Sequence, residues 1–363
     1  MDERVREHAR ILVEQCTDIQ KGDCVAISAP ADAEDLAVAI AERLGEKGAH
    51  PTTNVGLPRV NRAYMLAMDP EDFETPAHIK AMAENTDAFI SVKGSENMFE
   101  TSDVPPEKNQ ARAKHFKPIQ EAYMDSKWCV TQYPCAGDAQ KAEMSTPAYE
   151  EFVWGAINKD WDEQREFQEN MVEILDPADE VRIVSGETTD ITMSVSGNIT
   201  INDTAEHNLP GGEVFTAPVP DSVEGEVLFD KPLMAQGREV TGVWLKFEEG
   251  EVVDHSAEKN EEVLTALLNT DEGSKRLGEL GIGMNRDIDR FTYNMLFDEK
   301  MGDTVHMAIG RAYEENIGED NEQNQSVVHT DMIVDMSEDS YIEVDGEVVQ
   351  RNGTFRFEDG FEE

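Results

Sequence analysis

Two short segments of the sequence place a histidine on the more polar face of a predicted β-strand. In QSVVHTDMIVDM (residues 325–336), the alternation of side chains along a strand puts His329 and Asp331 on the same face. Val328 and Met332 belong to the opposite, largely apolar face. The polar pair requires a partner, and that partner could be water or a metal ion.

The segment TVHMAIG (304–310) repeats this arrangement. Val305, Met307 and Ile309 share one face of the predicted strand, and His306 lies on the other. Two strands that present histidines near carboxylates supply neutral imidazoles and ionised oxygens, which are the donors of a hydrolytic two-metal centre. By spacing alone, ordinary surface histidines beside acidic residues remain an alternative.

Acidic residues and glycines accompany these histidines in the second half of the chain. The segments concerned are NLPGGEVFTAP (208–218), RLGELGIGMN (276–285) and FDEKMGDTVHMAIGRAY (297–313). Since the whole chain is rich in Asp and Glu, a carboxylate in one of these segments is weak support for a site by itself. Histidine is the more informative residue, with eight copies.

The elements that must position these side chains divide into two regions. From residue 3 to about 175, helices alternate with strands such as CVAIS (24–28), DAFISVK (87–93) and WCVTQY (128–133), which is typical of a parallel α/β sheet. After DPADE (176–180) the apolar period becomes two. The sequence therefore predicts an α/β domain at 1–177 with a mainly parallel sheet, and an α+β domain at 178–363 rich in antiparallel strands.

Within the second region we expect helices to interrupt the strands twice. The apolar spacing predicts helices around 257–268 and 271–280, followed by strands near 304–310 and 327–335. The final segment, YIEVDGEVVQRNGTF, contains an Asp-Gly pair between alternating apolar residues, which predicts a β-hairpin.

Charge is the dominant feature of the composition. The chain has 31 basic and 77 acidic residues, a formal net charge of −46. Nucleic acids and anionic membrane surfaces repel such a field, so neither is expected as a partner. Because the Debye length falls to roughly 3 Å at about 1 M salt, a halophile that accumulates salt would tolerate this acidic surface, and we expect such a source.

The sequence offers no secretory or membrane-spanning segment. The start, MDERVREHARILVEQC, is charged and lacks the apolar core of a signal peptide. No later run reaches the roughly 18 apolar residues that would span a bilayer. We therefore expect a cytoplasmic protein.

Taken in order, the four site segments resemble those of the thermophilic-aminopeptidase family of metallopeptidases. LPGGE matches the family's Pro-x-Gly-Glu motif, LGE its Leu-Gly-Glu motif, HMAIGRAY its His-x-Ala-x-Gly-x-x-Tyr motif and HTD its His-x-Asp pair. WCVTQYPCAGDAQKAEMSTPAYEEF in the first region is similar to the same family more loosely. The resemblance implies metal ligands at Glu213, Glu279, His306, His329 and Asp331, with Glu279 shared by both metals, and a catalytic phenol at Tyr313.

One further ligand is implied less directly. Many family members carry an acidic ligand in an Asp-Glu-Asn-Ala run five residues before the first histidine. In this chain DEKMGDTVH places Glu299 seven residues before His306, while Asp303 is nearer. We expect Glu299 to be the ligand, with Asp303 as the alternative.

The function that the resemblance implies is a metal-dependent aminopeptidase that removes N-terminal residues from short peptides. Two divalent ions, Zn, Co or Mn, would activate a water molecule. Tyr313 would donate a hydrogen bond to the tetrahedral oxyanion, and Glu279 would pass a proton to the leaving amine. The family also implies a homodimer.

Two other functions are compatible with parts of the same pattern. Relatives of similar C-terminal fold open dihydroxypyridine rings with one iron, and His306, His329 and Asp331 would suffice as its ligands. A mononuclear dioxygenase has no use for Glu213 and Glu279, which favours hydrolysis. A non-catalytic relative would bind no metal, and the intact set of ligands speaks against it.

Overall fold

The computed structural model describes residues 1–362, and the chain folds into two compact units. The first unit comprises Met1–Lys159 and Ala205–Gly211, and the second comprises Asp160–Thr204 and Gly212–Glu363. The chain thus leaves the first unit, enters the second, returns for seven residues and leaves again. No helix within residues 1–362 is both long and apolar enough to cross a bilayer.

A parallel sheet forms the centre of the first unit. Its five strands follow the order β2-β1-β3-β4-β8, and every neighbouring pair is parallel. The strands are β1 (Cys24–Pro30), β2 (His50–Gly56), β3 (Ala88–Lys93), β4 (Lys127–Gln132) and β8 (Asn208–Leu209). The helices are α1 (Glu3–Ile11), α2 (Glu34–Lys47), α3 (Pro58–Ala67), α4 (Ala77–Ala83), α5 (Pro106–Met124), α6 (Ala136–Lys141) and α7 (Thr146–Ile157). The predicted α/β architecture is confirmed.

Local sequence explains where these helices begin and end. α2 buries Leu36, Ile40 and Leu44 on one face and stops at Gly48, whose φ of 74° is left-handed and unfavourable for other residues. α7 and α8 (Trp161–Leu175) are separate helices, because the chain leaves the helical conformation at Asn158–Asp160 and Asp160 caps α8 through its side chain.

Some elements of the first unit escape sequence prediction for a physical reason. β2 is an edge strand whose seven residues are all exposed, so its sequence HPTTNVG lacks the apolar alternation of a half-buried strand. α5 buries only Ile119 fully and contains Pro118, so its helical apolar period is weak.

Antiparallel strands dominate the second unit. An eight-stranded sheet has the order β14-β13-β10-β6-β5-β18-β19-β20, a five-stranded sheet has the order β17-β16-β15-β9-β7, and β11 pairs with β12. The strands are β5 (Glu180–Ser185), β6 (Thr189–Ser194), β7 (Ile201–Asp203), β9 (Glu213–Thr216), β10 (Glu224–Phe229), β11 (Leu233–Ala235), β12 (Arg238–Val240), β13 (Val243–Glu248), β14 (Glu251–Ser256), β15 (Leu277–Gly283), β16 (Thr304–Gly310), β17 (His329–Asp335), β18 (Ser340–Val344), β19 (Glu347–Arg351) and β20 (Thr354–Phe355). The helices are α8 (Trp161–Leu175), α9 (Glu261–Leu268) and α10 (Met295–Asp298). The predicted α+β character is confirmed.

One apolar core joins the two larger sheets of the second unit. Ile183 and Val227 contribute to it from the eight-stranded sheet, and Ile282, Val305 and Met307 contribute from the five-stranded sheet. Each such side chain stabilises the fold by about 1.5–3 kcal/mol when it leaves water completely. The core therefore fixes the five-stranded sheet, which carries the predicted ligands.

The helix predicted at 271–280 is wrong. Only Gly273–Lys275 form a short 3₁₀ turn, and Leu277–Gly283 form the strand β15. The spacing of Leu277 and Leu280 suits a helix, but glycine disfavours one, and here the glycines make room for neighbouring strands. A Cβ atom on Gly281 would lie 2.0 Å from the Nε2 atom of His306.

The helix α8 precedes residue 177 in the sequence but belongs to the second unit. Its residues Met171 and Leu175 belong to the core of the second unit. The side-chain amide of Gln168 donates a hydrogen bond of 2.9 Å to the carbonyl of Glu213, at the start of β9. Although α8 continues the helical pattern of the first region, its packing assigns it to the unit that holds the predicted site.

His8 gives the first unit a specific sensitivity to acid. Its side chain is fully buried, with Nε2 2.7 Å from Oγ1 of Thr131. Burial lowers the pKa of His8 to about 3, from an ordinary value of 6.5. Because the folded pKa is the lower one, the stability that His8 contributes is present above the unfolded pKa and is lost as the pH falls below it.

We predict that His8→Gln flattens the acid dependence of stability. Between about pH 6.5 and pH 4 the wild type should lose up to about 1.4 kcal/mol per pH unit more than the variant, because glutamine does not titrate. Urea unfolding at a series of pH values measures this difference. The carboxylates titrate in both proteins and cancel in the comparison. If the free energy of unfolding fell equally steeply with pH in both, His8 would not be the source of the acid sensitivity.

Candidate metal centre

Four neighbouring strands of the five-stranded sheet bring the predicted ligands together. Glu213 opens β9, Glu279 lies on β15, His306 lies on β16, and His329 and Asp331 lie on β17. The strands are adjacent and antiparallel in the order β9, β15, β16, β17. Residues as far as 118 positions apart, from 213 to 331, therefore occupy one side of a single sheet.

The ligand atoms form two groups that share one glutamate. Glu213, Glu279 and His306 offer atoms within 4.8 Å of one another, and so do Glu279, His329 and Asp331. His306 Nε2 lies 3.2 Å from Glu213 Oε2 and 3.2 Å from Glu279 Oε1. His329 Nε2 lies 3.4 Å from Glu279 Oε2 and 3.5 Å from Asp331 Oδ1. Glu279 thus presents one oxygen to each imidazole.

These polar groups lie inside the protein and are incompletely satisfied by it. Glu213, Glu279 and His306 are exposed by 6%, 5% and 0%. Within residues 1–362, Oε2 of both glutamates and Nδ1 of His306 are buried and have no hydrogen-bond partner. Buried carboxylate oxygens are costly unless a cation or a donor compensates them. The donor set therefore fits divalent cations.

The pKa values of the two histidines show how strongly the surrounding carboxylates favour a positive charge. Burial acts against the charged imidazole of His306, but the adjacent carboxylates of Glu213 and Glu279 raise its pKa well above the ordinary value. At His329 burial is likewise outweighed, and Asp331 raises the pKa to about 9. A cation that binds neutral imidazoles must displace these protons, so binding would release protons to the solvent.

The second ring nitrogen of His329 fixes the orientation of that side chain. Nδ1 lies 2.7 Å from the carbonyl oxygen of Arg311, which can only accept a hydrogen bond. Nδ1 therefore carries the proton and donates it, and Nε2 faces Glu279 and Asp331. An imidazole held from behind in this way is typical of metal ligands.

Tyr313 lies beside the two groups of ligands. Its ring centre is 4.9 Å from that of His329 and 6.1 Å from that of Phe215, and the residue is 42% exposed. Partial burial, together with the charges of Glu279 and Asp331, raises the pKa of Tyr313 above its ordinary value of 10.0. The phenol is therefore protonated at neutral pH and available as a hydrogen-bond donor.

The two candidates for the additional acidic ligand have different environments. The carboxylate of Glu299 contacts the ammonium of Lys300, and burial raises its pKa to about 8, with Glu213 and Asp331 adding to the effect. Asp303 pairs with Arg286, and its side chain is 44% exposed. Glu299 faces the cluster of carboxylates, whereas Asp303 faces a surface arginine.

Sequence reasoning missed a buried lysine in this cluster. Lys300 is completely buried, and its Nζ lies 3.1 Å from Glu213 Oε1, in contact with Glu299 and 3.9 Å from Asp203 Oδ2. The available signal was the departure from the Asp-Glu-Asn-Ala run, because lysine follows the glutamate where that run has asparagine. A single charged residue in a loop gives no indication of burial.

The fold and these donors define a metal-dependent hydrolase. The chain belongs to the thermophilic metalloprotease family (M29), which matches residues 1–355. Aminopeptidase AmpS of Bacillus subtilis is 30% identical, with 98% of this chain and 99% of the relative covered.

Two solved structures share the fold over nearly the whole chain. Wild-type AmpT from Thermus thermophilus has a TM-score of 0.86 at 26% identity, covering 98% of this chain and 99% of its own. The 2,5-dihydroxypyridine dioxygenase from Pseudomonas putida KT2440 has a TM-score of 0.62 at 13% identity, covering 98% and 97%. At that identity the second likeness concerns the fold alone.

We predict that Lys300→Met destabilises the protein mainly when divalent cations are absent. Removing the ammonium leaves the buried carboxylate of Glu213 without its partner, 3.1 Å away in the wild type, which costs about 3–5 kcal/mol. Bound cations would restore much of the missing positive charge. Denaturant unfolding in a chelator and in excess Zn²⁺ or Mn²⁺ measures the two values.

Lys231→Met is the matched control. Lys231 Nζ lies 2.8 Å from Asp335 Oδ2, but the lysine side chain is 25% exposed. Its replacement should cost less, and equally with and without metal. A loss for Lys300→Met that does not depend on metal would contradict the proposed compensation.

Proposed function

We propose that the protein is a metal-dependent aminopeptidase that removes N-terminal residues from short peptides. The observation that carries the proposal is the sharing of Glu279 between two groups of ligands, one with Glu213 and His306 and the other with His329 and Asp331. One carboxylate between two imidazoles is an arrangement that suits a pair of cations. The named aminopeptidases among its relatives support the same activity.

The ligands of the proposed pair are Glu213, Glu279, Glu299, His306, His329 and Asp331. Two divalent cations held there would supply an activated water at neutral pH and polarise the carbonyl of the first peptide bond. Oxygen and imidazole donors suit Zn²⁺, Co²⁺ and Mn²⁺. We prefer Glu299 to Asp303 because its carboxylate faces the cluster, whereas Asp303 is paired with Arg286.

Tyr313 and Glu279 act on the substrate in this proposal. The protonated phenol of Tyr313 donates a hydrogen bond to the oxyanion that forms at the attacked carbonyl. Glu279 accepts a proton from the attacking water and passes it to the leaving amine. The free α-amine of the peptide is held by the carboxylates of the cluster, which restricts cleavage to the N-terminal residue. The homodimer and the cytoplasmic location expected from the sequence belong to the same proposal.

The mononuclear dioxygenase is the weaker alternative. An iron on His306, His329 and Asp331 would leave Glu213 and Glu279 buried without a role, although both carboxylates point at His306. The dioxygenase of similar fold is too distant in sequence to support its chemistry here. The hydrolase gives both glutamates a role as ligands.

We predict that Tyr313→Phe retains its metal and loses turnover. Loss of one oxyanion donor should lower kcat about 10²- to 10³-fold. His306→Ala should lose both metal and activity, because it removes a buried ligand. Elemental analysis of protein purified in molar KCl, with leucine release from a short leucyl peptide, measures both properties.

Matched controls make this experiment specific. Tyr341→Phe and His255→Ala change the same residue types elsewhere in the second unit and should leave kcat and metal content unchanged. An N-acetylated peptide should not be cleaved, since it lacks the free amine. Full kcat in Tyr313→Phe would refute the role of the phenol, and one iron with oxygen uptake on a dihydroxypyridine would replace the hydrolase by the dioxygenase.

We further propose that the protein works at high salt. Its formal net charge of −46 is distributed over an accessible surface of 17213 Å², and only 31 basic residues offset 77 acidic ones. At about 0.1 M salt the Debye length is about 10 Å, so neighbouring carboxylates repel one another. At about 1 M it is about 3 Å, and the repulsion is screened.

We predict that the thermal midpoint of unfolding rises steeply between about 0.1 M and 1 M KCl and only gradually above, because screening is by then nearly complete. Differential scanning calorimetry at constant pH measures the midpoint. Sucrose, which stabilises proteins without screening charge, should not reproduce the steep phase. A midpoint that is insensitive to KCl would contradict the proposal.

A further inference from the structure

The first unit contains a large cavity whose lining includes none of the proposed metal ligands. It consists of two adjoining lobes of about 630 and 990 Å³, which have five lining residues in common: Ser28, Asn54, Ser91, Lys93 and Arg112. Four of these five residues lie at the carboxyl ends of the parallel strands β1, β2 and β3.

The position of the cavity in the sheet is one that binds ligands in many α/β proteins. β1 pairs with β2 on one side and with β3 on the other, so the strand order reverses direction there. Crossover connections leave such a point on opposite faces of the sheet, and a crevice opens between them. Small side chains at Ser28 and Ser91 keep this crevice open.

The charge of the lining is opposite to that of the chain. None of the residues that line either lobe is acidic, although 77 of the 363 residues are Asp or Glu. Lys93 and Arg112 both face the cavity, and neither makes an ion pair within residues 1–362. Two cations without acidic partners are unusual in so acidic a protein, because acidic residues are abundant over most of its surface.

The larger lobe adds an apolar wall to these cations. Phe89 and Tyr123 stack with ring centres 4.2 Å apart, and Trp128 lines the same lobe. The guanidinium of Arg112 lies 4.6 Å from the ring centre of Phe116, which holds the cation at the edge of the wall. A ligand that suits both features must carry a negative charge and an apolar body.

We propose that this cavity binds a small organic carboxylate with an apolar or aromatic body. The guanidinium of Arg112 and the ammonium of Lys93 receive the carboxylate, and the hydroxyl groups of Ser28 and Ser91 supply further hydrogen bonds. The wall of aromatic side chains covers the apolar part. A phosphoryl ligand is less suited, because the chain has neither a GxGxxG nor a GxxxxGK[ST] loop to surround its oxygens.

The test is calorimetric titration of the full-length, metal-loaded protein with 3-phenylpropanoate. Lys93→Met and Arg112→Met remove one charge each at similar side-chain length, and each should weaken binding on the order of tenfold, because a charge-assisted contact is lost. Lys114→Met is the matched control, since it removes a charge from α5 outside the lining and should bind like the wild type. Unchanged unfolding midpoints will show that the variants are folded.

Any one of four outcomes would overturn the proposal. Binding that is unchanged in both variants would mean that the carboxylate occupies a different place, such as the metal centre. Equal affinity for 3-phenylpropanamide would make the cavity a neutral apolar pocket. If inorganic phosphate bound more tightly than the carboxylate, and only with Lys93 and Arg112 intact, the ligand would be a phosphoryl compound and not a carboxylate. No binding of the carboxylate at millimolar concentration would leave the cavity without the proposed role.

Discussion

The second unit depends on one electrostatic constraint, the burial of several carboxylates within a few ångströms of one another. Glu213 and Glu279 are nearly inaccessible to solvent, and Asp331 lies beside them. Like charges in such a place repel and are poorly solvated, so the fold must supply compensating cations. Lys300 and the two histidines supply part of the compensation from within the chain. The unsatisfied oxygens that remain are the physical reason for assigning the rest to divalent metal ions.

Backbone space is the second requirement of the site. The glycines of β15 let the neighbouring strands approach so closely that the imidazole of His306 lies where the side chain of residue 281 would otherwise be. The bulge near Glu279, where the pairing of β15 with β16 shifts by one residue, turns this glutamate toward the imidazoles. Chemistry and packing are therefore linked, since any side chain larger than hydrogen at Gly281 would displace a proposed ligand.

Much of this arrangement could be predicted from the sequence, and the errors have identifiable causes. Strand alternation correctly placed His329 with Asp331, because a period of two is a local property of the backbone. The strand around Glu279 was predicted as a helix, since two leucines at helical spacing outweighed three glycines whose function is to admit residues distant in sequence. Lys300 was missed for a similar reason, because its burial is determined by β7 and β9 rather than by its own neighbours. The roles of the site residues as ligands stay predictions from motifs, to which the geometry adds proximity.

The extreme charge of the chain changes how its surfaces should be interpreted. In a protein with few acidic residues a carboxylate cluster would itself suggest a metal site, whereas here acidic groups are expected everywhere and only buried, converging ones are informative. The converse holds for the first unit, where the absence of acidic residues from the lining of a large cavity is the unusual observation. High salt would screen the repulsion between the exposed carboxylates and an approaching anion. A site that recognises an anion can therefore persist in a chain of net charge −46 only where the fold keeps its cations apart from the acidic surface.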